Sequence, residues 1–224
     1  MAFAALYFSA HLKQRLAWAT GYSRKCFHFL IFTLVAICHT IGGTQLVCLC
    51  GGMVSLVILF AVFRGDGHPM YEAMAREKDA PHRTRYIIIP YLTTLAGGLA
   101  TNIWFPTYAI AGYLVAGIGD GVGEVVGTRF GRNQYSVPSF TRVRAKRTIE
   151  GSVGVLIASV AAVSLAVFEI QRHSDVAVES SVELFWIVPA TALASCIAEA
   201  ISPHGWDNLT MQVIPTLLLA GLMS

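Results

Sequence analysis

The sequence predicts an all-α, polytopic membrane protein, with one integral membrane domain over residues 1–224 and about seven transmembrane helices. Three observations predict this class. Hydrophobic residues make up 55% of the 224 residues and charged residues 13%, and the mean hydropathy is +0.60. Soluble domains carry about 25% charged residues. A chain with so few charges cannot cover a water-facing surface, so a soluble globular protein is excluded.

The apolar residues fall into separate stretches of the length that a spanning helix needs, about 20 residues. Seven stretches are candidates, the last of them short: 26–43, 45–63, 86–104, 107–127, 150–168, 183–201 and 208–223. Residues 1–20 are also apolar but are interrupted by His11, Lys13, Gln14 and Arg15. This pattern predicts an N-terminal interfacial helix, with an eighth span as the alternative.

The basic residues fall in alternate connections between these spans. Of the 16 Lys and Arg residues, all but Arg172 precede the first span or lie within 64–85 and 128–149. The positive-inside rule assigns these connections to the cytoplasmic face. The same order puts the loop 202–207 on that face. Because the bases adjoin apolar runs, they suit anionic head groups or phosphates, and nucleic-acid binding is not expected.

The connection 64–85 also carries acidic residues. Glu72, Arg76 and Glu77 have helical spacing in this segment. That spacing predicts a solvated amphipathic face with structural rather than catalytic roles.

Two carboxylates stand near the cytoplasmic end of the fourth predicted span. Asp120 and Glu124 are at i and i+4, so a helix places them on one face. Acidic residues inside a span cost a few kcal/mol, which favours a functional role. Two carboxylates one turn apart suit a Mg²⁺ ion that keeps waters and bridges to nucleotide phosphates. The structural alternative is an ion pair with Arg129 or Arg132.

Glycines surround these carboxylates at regular intervals. Gly119, Gly123, Gly127 and Gly131 recur every fourth residue. Small residues at this spacing let helices pack closely. Glycines also let backbone N–H groups approach a phosphate, which would involve Gly119 and Gly121. Spacing alone favours close packing, and both roles are compatible.

A second group of polar residues is the segment 142–151, Arg-Val-Arg-Ala-Lys-Arg-Thr-Ile-Glu-Gly. Arg144, Lys146 and Arg147 can neutralise a triphosphate, and Thr148 is placed to cap the following helix. The alternative is a membrane anchor followed by a helix cap. That alternative leaves Glu150 unexplained, since it would be a third carboxylate at membrane depth.

Further polar residues border other spans. Lys25 and His28 share a basic face where the first span opens, and a lone histidine there is usually interfacial. Glu199 lies two residues before the end of the sixth span, and Asp207 precedes the last. The P-loop, the Gly-x-Ser-x-Gly elbow and the His-Glu-x-x-His pair do not occur, which disfavours P-loop kinases, serine hydrolases and zincins.

Taken together, the motifs resemble the polyprenol kinase family, which includes phytol kinase, dolichol kinase and CTP-dependent diacylglycerol kinase. The resemblance rests on 119–131 and 146–152, with Arg24-Lys25-x-x-His28 and 207–210 as further matches. The Gly-Asp-Gly element followed by an acid looks most like the phytol kinase branch. The resemblance implies Mg²⁺-dependent transfer of the γ-phosphate of CTP, or of another nucleoside triphosphate, to a lipid alcohol at the cytoplasmic face.

The resemblance also implies roles for individual residues. Asp120 and Glu124 would hold the Mg²⁺ ion. The implied catalytic residues are Asp120, Glu124, Lys146, Glu150 and Asp207. The implied nucleotide-binding residues are Lys25, His28, Gly119, Gly121, Arg129, Lys146, Arg147, Thr148 and Gly151. Glu150, Asp207 and His28 all remain candidates for the general base.

Other functions remain open. The chain is distantly similar to phosphatidate cytidylyltransferase, which would attack the α-phosphate of CTP and release pyrophosphate. A diacylglycerol kinase is a second alternative. A transporter using the Asp120/Glu124 pair as a cation site would need ionisable residues leading to both faces, whereas here they crowd one face. Lipid chain length, nucleotide preference and oligomeric state do not follow from the sequence.

Overall fold

The computed structural model describes residues 1–139, 145–173 and 181–223. Within these ranges, five helices are long and apolar enough to cross a membrane: Thr20–Arg64, Arg85–Trp104, Pro106–Phe130, Ile149–His173 and Leu184–Ile201. Their outward-facing side chains include many large apolar groups. These helices are consistent with an integral membrane protein. The chain divides into two compact units, 1–92 and 93–224.

The first unit is built on two helices, α1 (Ala2–Leu16) and α2 (Thr20–Arg64). Helix α1 packs on α2, and Leu6 and Ala10 are buried on its inner face. Helix α1 ends because Ala17 adopts a left-handed conformation, with φ of 50°. The N-terminal segment is therefore helical as predicted, and its interfacial position stays a prediction.

Helix α2 covers the two spans predicted at 26–43 and 45–63, as two helical segments joined by a kink. It runs for 45 residues without a loop, but its backbone breaks at Gly43, where φ is 58° and ψ is −157°. This region of conformational space is essentially restricted to glycine. A straight helix of this length would measure about 68 Å, roughly twice the hydrocarbon thickness of a bilayer. The break at Gly43 therefore falls where the sequence predicts the chain to turn.

The connection between α2 and α4 (Arg85–Trp104) is folded around Arg83 and includes the short helix α3 (Pro69–Glu72). Arg83 Nη1 donates to Asp66 Oδ1 at 2.7 Å, and Nη2 donates to Glu72 Oε2 at 2.5 Å and to the Ala75 carbonyl at 2.8 Å. The guanidinium also lies over the Tyr71 ring. One arginine thus ties together residues from the whole connection.

The prediction that Arg76 lies on a solvated face is wrong. Arg76 is buried, and its Nε donates to the buried Asp79 at 2.9 Å. Glu77 does remain exposed, where it accepts hydrogen bonds from Lys13 Nζ and Thr20 Oγ1. Helical spacing does not apply to Arg76, because the helix ends at Glu72. A three-residue turn at Glu77–Asp79 follows Arg76 and directs its side chain inwards.

We expect acid to loosen this connection. The hydrogen bond from Arg83 holds the pKa of Glu72 below its usual value of 4.5. A lowered pKa in the folded state stabilises the fold above pH 4.5, and this contribution disappears as pH falls through the lowered value. Glu72→Gln should therefore lower the stability of the fold more at pH 7 than at pH 3, and by less than about 1 kcal/mol at pH 7.

The matched control for this prediction is Asp66→Asn. Asp66 contacts the same arginine, but its side chain is 75% exposed, against 29% for Glu72. Exposed ion pairs contribute little. Thermal unfolding in detergent at both pH values checks the difference, and an equal effect of Glu72→Gln at the two pH values would contradict it.

The second unit is a helical bundle with a small hairpin at one end. After α4, a continuous helix covers Pro106–Phe130. The remaining elements follow in chain order: α5 (Ala109–Leu114), a π-helical segment (Val115–Asp120), α6 (Gly121–Phe130), β1 (Gln134–Val137), β2 (Ala145–Thr148), α7 (Ile149–His173), α8 (Ser181–Ile201) and α9 (Asp207–Leu222). Helix α7 is central and packs against α5, α6 and α8.

The hairpin is a departure from the all-α prediction. Strands β1 and β2 pair antiparallel, with Tyr135 opposite Arg147 and Ser136 opposite Lys146. Each strand has only four residues, and β1 (Gln-Tyr-Ser-Val) alternates polar and apolar residues whereas β2 (Ala-Lys-Arg-Thr) does not. The prediction of an all-α fold therefore holds for the bundle but not for the connection between α6 and α7.

Helix α9 coincides with the last predicted span but has 16 residues, fewer than the roughly 20 that cross a bilayer. Its buried face carries three polar residues, Asn208, Gln212 and Thr216, among apolar ones. Asn208 donates to Thr94 Oγ1 at 2.8 Å, and Gln212 Nε2 donates to the Thr94 carbonyl at 3.1 Å. Such hydrogen bonds between helices hold an apolar bundle together where the hydrophobic effect is weak.

Two connections meet at one end of the second unit. The backbone N–H of His204 donates to the Pro138 carbonyl at 3.0 Å. The loop 202–206 therefore lies beside the hairpin. This agrees with the sequence-based expectation that the connections 128–149 and 202–207 share one face.

Candidate functional site

Asp120 occupies a special position in the backbone of the long helix Pro106–Phe130. It is the last residue of the π-helical segment, and its side chain is only 6% exposed. Single π-helical turns within α-helices occur frequently at functional sites. Glu124 lies one turn later in α6, on the same face and less deeply buried. The predicted carboxylate pair is thus presented by a continuous helix.

The glycine pattern on this helix forms a contact surface against α7. A Cβ atom built on Gly123 would lie 2.3 Å from Val155 Cγ2, and one on Gly127 would lie 2.8 Å from Thr148 Oγ1. A Cβ on Gly119 would lie 2.8 Å from Ser159 Oγ. At these three positions a side chain would require neighbouring atoms to shift, on α7 for Gly119 and Gly123 and on β2 for Gly127. This supports the close-packing interpretation of the repeat.

Gly121 differs from the other glycines near the carboxylates. A Cβ added there would meet nothing within 4 Å. Gly121 lies between Asp120 and Glu124 in sequence, so open space adjoins the backbone beside the carboxylate pair. Of the two glycines assigned to nucleotide binding, Gly119 is enclosed by packing, whereas Gly121 has open space where a Cβ atom would lie.

Arg147 is the centre of an ion cluster, which we define as Arg147, Glu199 and Asp207. Arg147 Nε lies 2.9 Å from Glu199 Oε1, near the C-terminal end of α8. Its Nη2 lies 3.2 Å from Asp207 Oδ2, in the first turn of α9. The side chains are 14%, 9% and 20% exposed, respectively. One arginine on β2 thus joins the ends of two helices.

Tyr135 lies on the same face of the hairpin as Arg147. The two residues are paired across the strands, and the Tyr135 hydroxyl is 2.7 Å from Ser152 Oγ of α7. Burial raises the pKa of the Tyr135 phenol, and the negative charge of Glu199 raises it further. The inner face of the hairpin is therefore anchored to α7 by a phenol and to α8 and α9 by a guanidinium.

Lys146 lies on the opposite face of the hairpin, because neighbouring residues of a strand point to opposite sides. Its side chain is exposed, and its Nζ donates to Gln134 Oε1 at 3.3 Å. Gln134 is neutral, so this contact leaves the ammonium charge uncompensated. Lys146 and Arg147, predicted to act together on a triphosphate, are thus turned in different directions.

Thr148 caps α7, as the sequence predicts. Its Oγ1 accepts a hydrogen bond from the backbone N–H of Gly151 at 3.1 Å. Glu150 is partly exposed and accepts hydrogen bonds from Asn133, from Nδ2 at 2.9 Å and from the backbone N–H at 3.3 Å. Thr148 and Gly151 therefore have packing and capping roles, and Glu150 fixes the turn between α6 and β1.

The remaining predicted site residues are Arg129, Lys25, His28 and Arg144. The Arg129 guanidinium lies over the ring of its neighbour Phe130, 5.6 Å from the ring centre. Lys25 and His28 belong to the first unit, where Lys25 is buried and His28 packs against Phe32. Arg144, also predicted to contact a triphosphate, lies outside the described residues.

Sequence reasoning gave too little weight to Glu199 and none to Tyr135. A signal for Glu199 was present, since it is an acidic residue inside an apolar span, where an unpaired charge is costly. Its partner Arg147 lies far away in sequence and could not be identified without the fold. Tyr135 gave no signal, because nothing in its surroundings indicated a strand.

The carboxylate pair fits a magnesium ion in number and type of ligands. Mg²⁺ in nucleotide sites is usually held by one or two carboxylates, with water and phosphate oxygens completing the shell. Asp120 and Glu124 supply two, beside the open space at Gly121. Among the described residues, no group of three or more His, Cys, Asp or Glu side chains converges. A magnesium ion here would depend on phosphate and water for its other ligands.

Comparisons of the chain with protein-family models, with curated proteins and with solved structures give no match.

Proposed function

We propose that this protein is a lipid-alcohol kinase of the phytol or polyprenol type, which transfers the γ-phosphate of CTP or another nucleoside triphosphate. The observation that carries the proposal is the Asp120/Glu124 pair at the end of the π-helical segment, with open space at Gly121. An acidic residue inside an apolar span is rare, and such residues commonly mark functional sites. A magnesium–nucleotide complex is a ligand that suits this pair.

The protein supplies the groups that phosphoryl transfer requires. This reaction depends chiefly on positioning and on neutralising phosphate charge. When bound by Asp120 and Glu124, Mg²⁺ would withdraw charge from the phosphate oxygens. Lys146 is exposed at the same end of the unit and carries the uncompensated charge needed to attract a triphosphate.

The lipid alcohol reaches this site from the bilayer. Large apolar side chains are exposed along the outer faces of α7 and α8, including Ile157, Phe168, Phe185, Trp186 and Ile197. An acyl or isoprenoid chain loses nothing by staying against such a surface. The hydroxyl group alone has to approach the polar end of the unit, which we assign to the cytoplasmic face from the distribution of basic residues.

The general base remains open among the predicted candidates. Asp207 is engaged by Arg147, and Glu150 by Asn133. Because the transition state of phosphoryl transfer is loose, the lipid hydroxyl needs little help to lose its proton until late in the reaction. The proposal therefore does not require either carboxylate to act as a base.

The deciding experiment uses purified protein in detergent with Mg²⁺ and phytol, and CTP labelled separately at the α- and γ-phosphates. We expect γ label in an organic-soluble monophosphate and no transfer of α label. Diacylglycerol offered in parallel tests the alternative acceptor. Replacing Mg²⁺ by a chelator should abolish transfer, because the triphosphate charge would no longer be neutralised.

Two results would contradict the proposal. Transfer of α label to phosphatidic acid, with release of pyrophosphate, would identify a cytidylyltransferase. Absence of transfer to phytol, polyprenol or diacylglycerol would favour a non-enzymatic role such as cation transport.

A further inference from the structure

Arg147 has surroundings that do not suit a phosphate ligand. Two carboxylates, Glu199 and Asp207, contact its guanidinium at 2.9 Å and 3.2 Å. The guanidinium is thus already engaged by two carboxylates, which compete with a phosphate for its N–H groups. Lys146 lies on the opposite face of the hairpin, and its hydrogen-bond partner Gln134 is neutral.

The ion cluster is well suited to hold structural elements in place. Glu199 lies in the last turns of α8, where the helix dipole disfavours a carboxylate, and it is buried as well. Asp207 lies in the first turn of α9, where a carboxylate is favoured. Arg147 compensates the first charge and binds the second through a different nitrogen. The guanidinium fork can do this, but a lysine ammonium presents a single nitrogen.

We infer that Arg147 is a positioning residue, with Glu199 as its principal partner: the two fix β2 against the ends of α8 and α9 and thereby set the location of Lys146. This inference rests on the proposed function. It assigns Glu199 to the site and gives Asp207 the role of a counter-ion rather than a base. Lys146 then contacts the triphosphate, and Arg147 acts on the reaction only through the hairpin.

The inference predicts different effects on kcat and KM for substitutions of Lys146 and of Arg147. Lys146→Gln removes a charged contact to the nucleotide and should raise KM for CTP by roughly 10-fold or more. Arg147→Lys keeps the charge but loses the planar fork whose Nε and Nη2 reach the two carboxylates from separate nitrogens. The displaced ammonium of Lys146 keeps its charge and still attracts the triphosphate, but it is misplaced for the transition state. Arg147→Lys should therefore lower kcat by up to about 100-fold, with a rise in KM for CTP of no more than about threefold.

The test compares the native protein with Arg147→Lys, Glu199→Gln and the double variant. Each single change should lower kcat to a similar extent, and the double variant should be no worse than the more severe single one, because both break the same contact. Glu169→Gln is the matched control, since Glu169 is also helical and pairs with a basic side chain, His173, at 3.2 Å. It should retain native kinetics.

The same four proteins are also unfolded thermally in detergent. Non-additive melting temperatures would establish the Arg147–Glu199 contact without reference to catalysis. If the two substitutions are non-additive in thermal unfolding but the native protein transfers no phosphate, the proposed function is overturned. The Arg147–Glu199 contact would still be established. The inference would be overturned if the native protein transfers phosphate but the effects of Arg147→Lys and Glu199→Gln are additive in kcat and also in melting temperature.

A phosphate-binding role for Arg147 gives a different result. Its Nη1 atom is buried and has no hydrogen-bond partner among the described residues, so a ligand oxygen there is a specific alternative. In that case Arg147→Lys would raise KM for CTP as Lys146→Gln does, and Glu199→Gln would leave KM unchanged. This pattern would overturn the positioning role.

Discussion

Asp120→Asn should abolish phosphate transfer while leaving the protein folded. The substitution keeps the shape of the side chain but removes the charge that would bind Mg²⁺. Loss of a metal contribution worth several kcal/mol corresponds to a decrease in kcat of roughly 1,000-fold or more. The measurement is γ-phosphate transfer from CTP to phytol over a range of Mg²⁺ concentrations.

The stability of the same variant provides an independent readout. Asp120 is buried at the end of the π-helical segment. Asparagine has nearly the same shape and keeps hydrogen-bonding atoms, so we expect the melting temperature of Asp120→Asn to stay close to that of the native protein. An inactive variant that melts lower would instead indicate a structural role, such as an ion pair with Arg129 or Arg132.

Glu124→Gln tests the contribution of Glu124 to Mg²⁺ binding separately from that of Asp120. Because Glu124 is less buried, its loss should weaken Mg²⁺ binding without removing the other ligand. The expected result is activity that returns, at least in part, at high Mg²⁺. Full activity of Asp120→Asn at ordinary Mg²⁺ concentrations would exclude the metal site.

Composition was sufficient to predict the helical membrane-type architecture, because long apolar helices are specified by many residues at once. Details that depend on a few residues were not predictable. Gly43 lets α2 continue through a sharp break where a loop was expected. The hairpin strands are only four residues long, and the alternation of polar and apolar residues in β1 is too short to distinguish it from a loop.

The candidate site was predictable where its chemistry depends on local spacing. Asp120 and Glu124 follow from helix geometry, and the Thr148 cap follows from the start of an apolar run. The opposite orientations of Lys146 and Arg147 require knowledge that they lie on a strand. The contact between Arg147 and Glu199 joins residues about 50 positions apart, so it depends on how α7 and α8 pack.

Gly123→Ala should destabilise the protein even though alanine is a small residue. Its Cβ would lie 2.3 Å from Val155 Cγ2 and 3.3 Å from the Gly151 carbonyl oxygen. The valine side chain has little freedom to move aside in a helix. Helices α6 and α7 would have to separate, at a cost of about 1–3 kcal/mol. Thermal unfolding in detergent measures this cost.

A compensating change and a matched control make the prediction specific. Val155→Ala removes the clashing methyl group, so the Gly123→Ala/Val155→Ala variant should be more stable than the sum of the two single effects predicts. Gly121→Ala introduces the same methyl group where nothing lies within 4 Å, and it should melt like the native protein. Equal destabilisation by Gly121→Ala and Gly123→Ala would mean that backbone propensity, rather than contact with α7, requires glycine here. If Gly121→Ala keeps its stability but loses phosphate transfer, the open space at Gly121 belongs to the nucleotide rather than to packing.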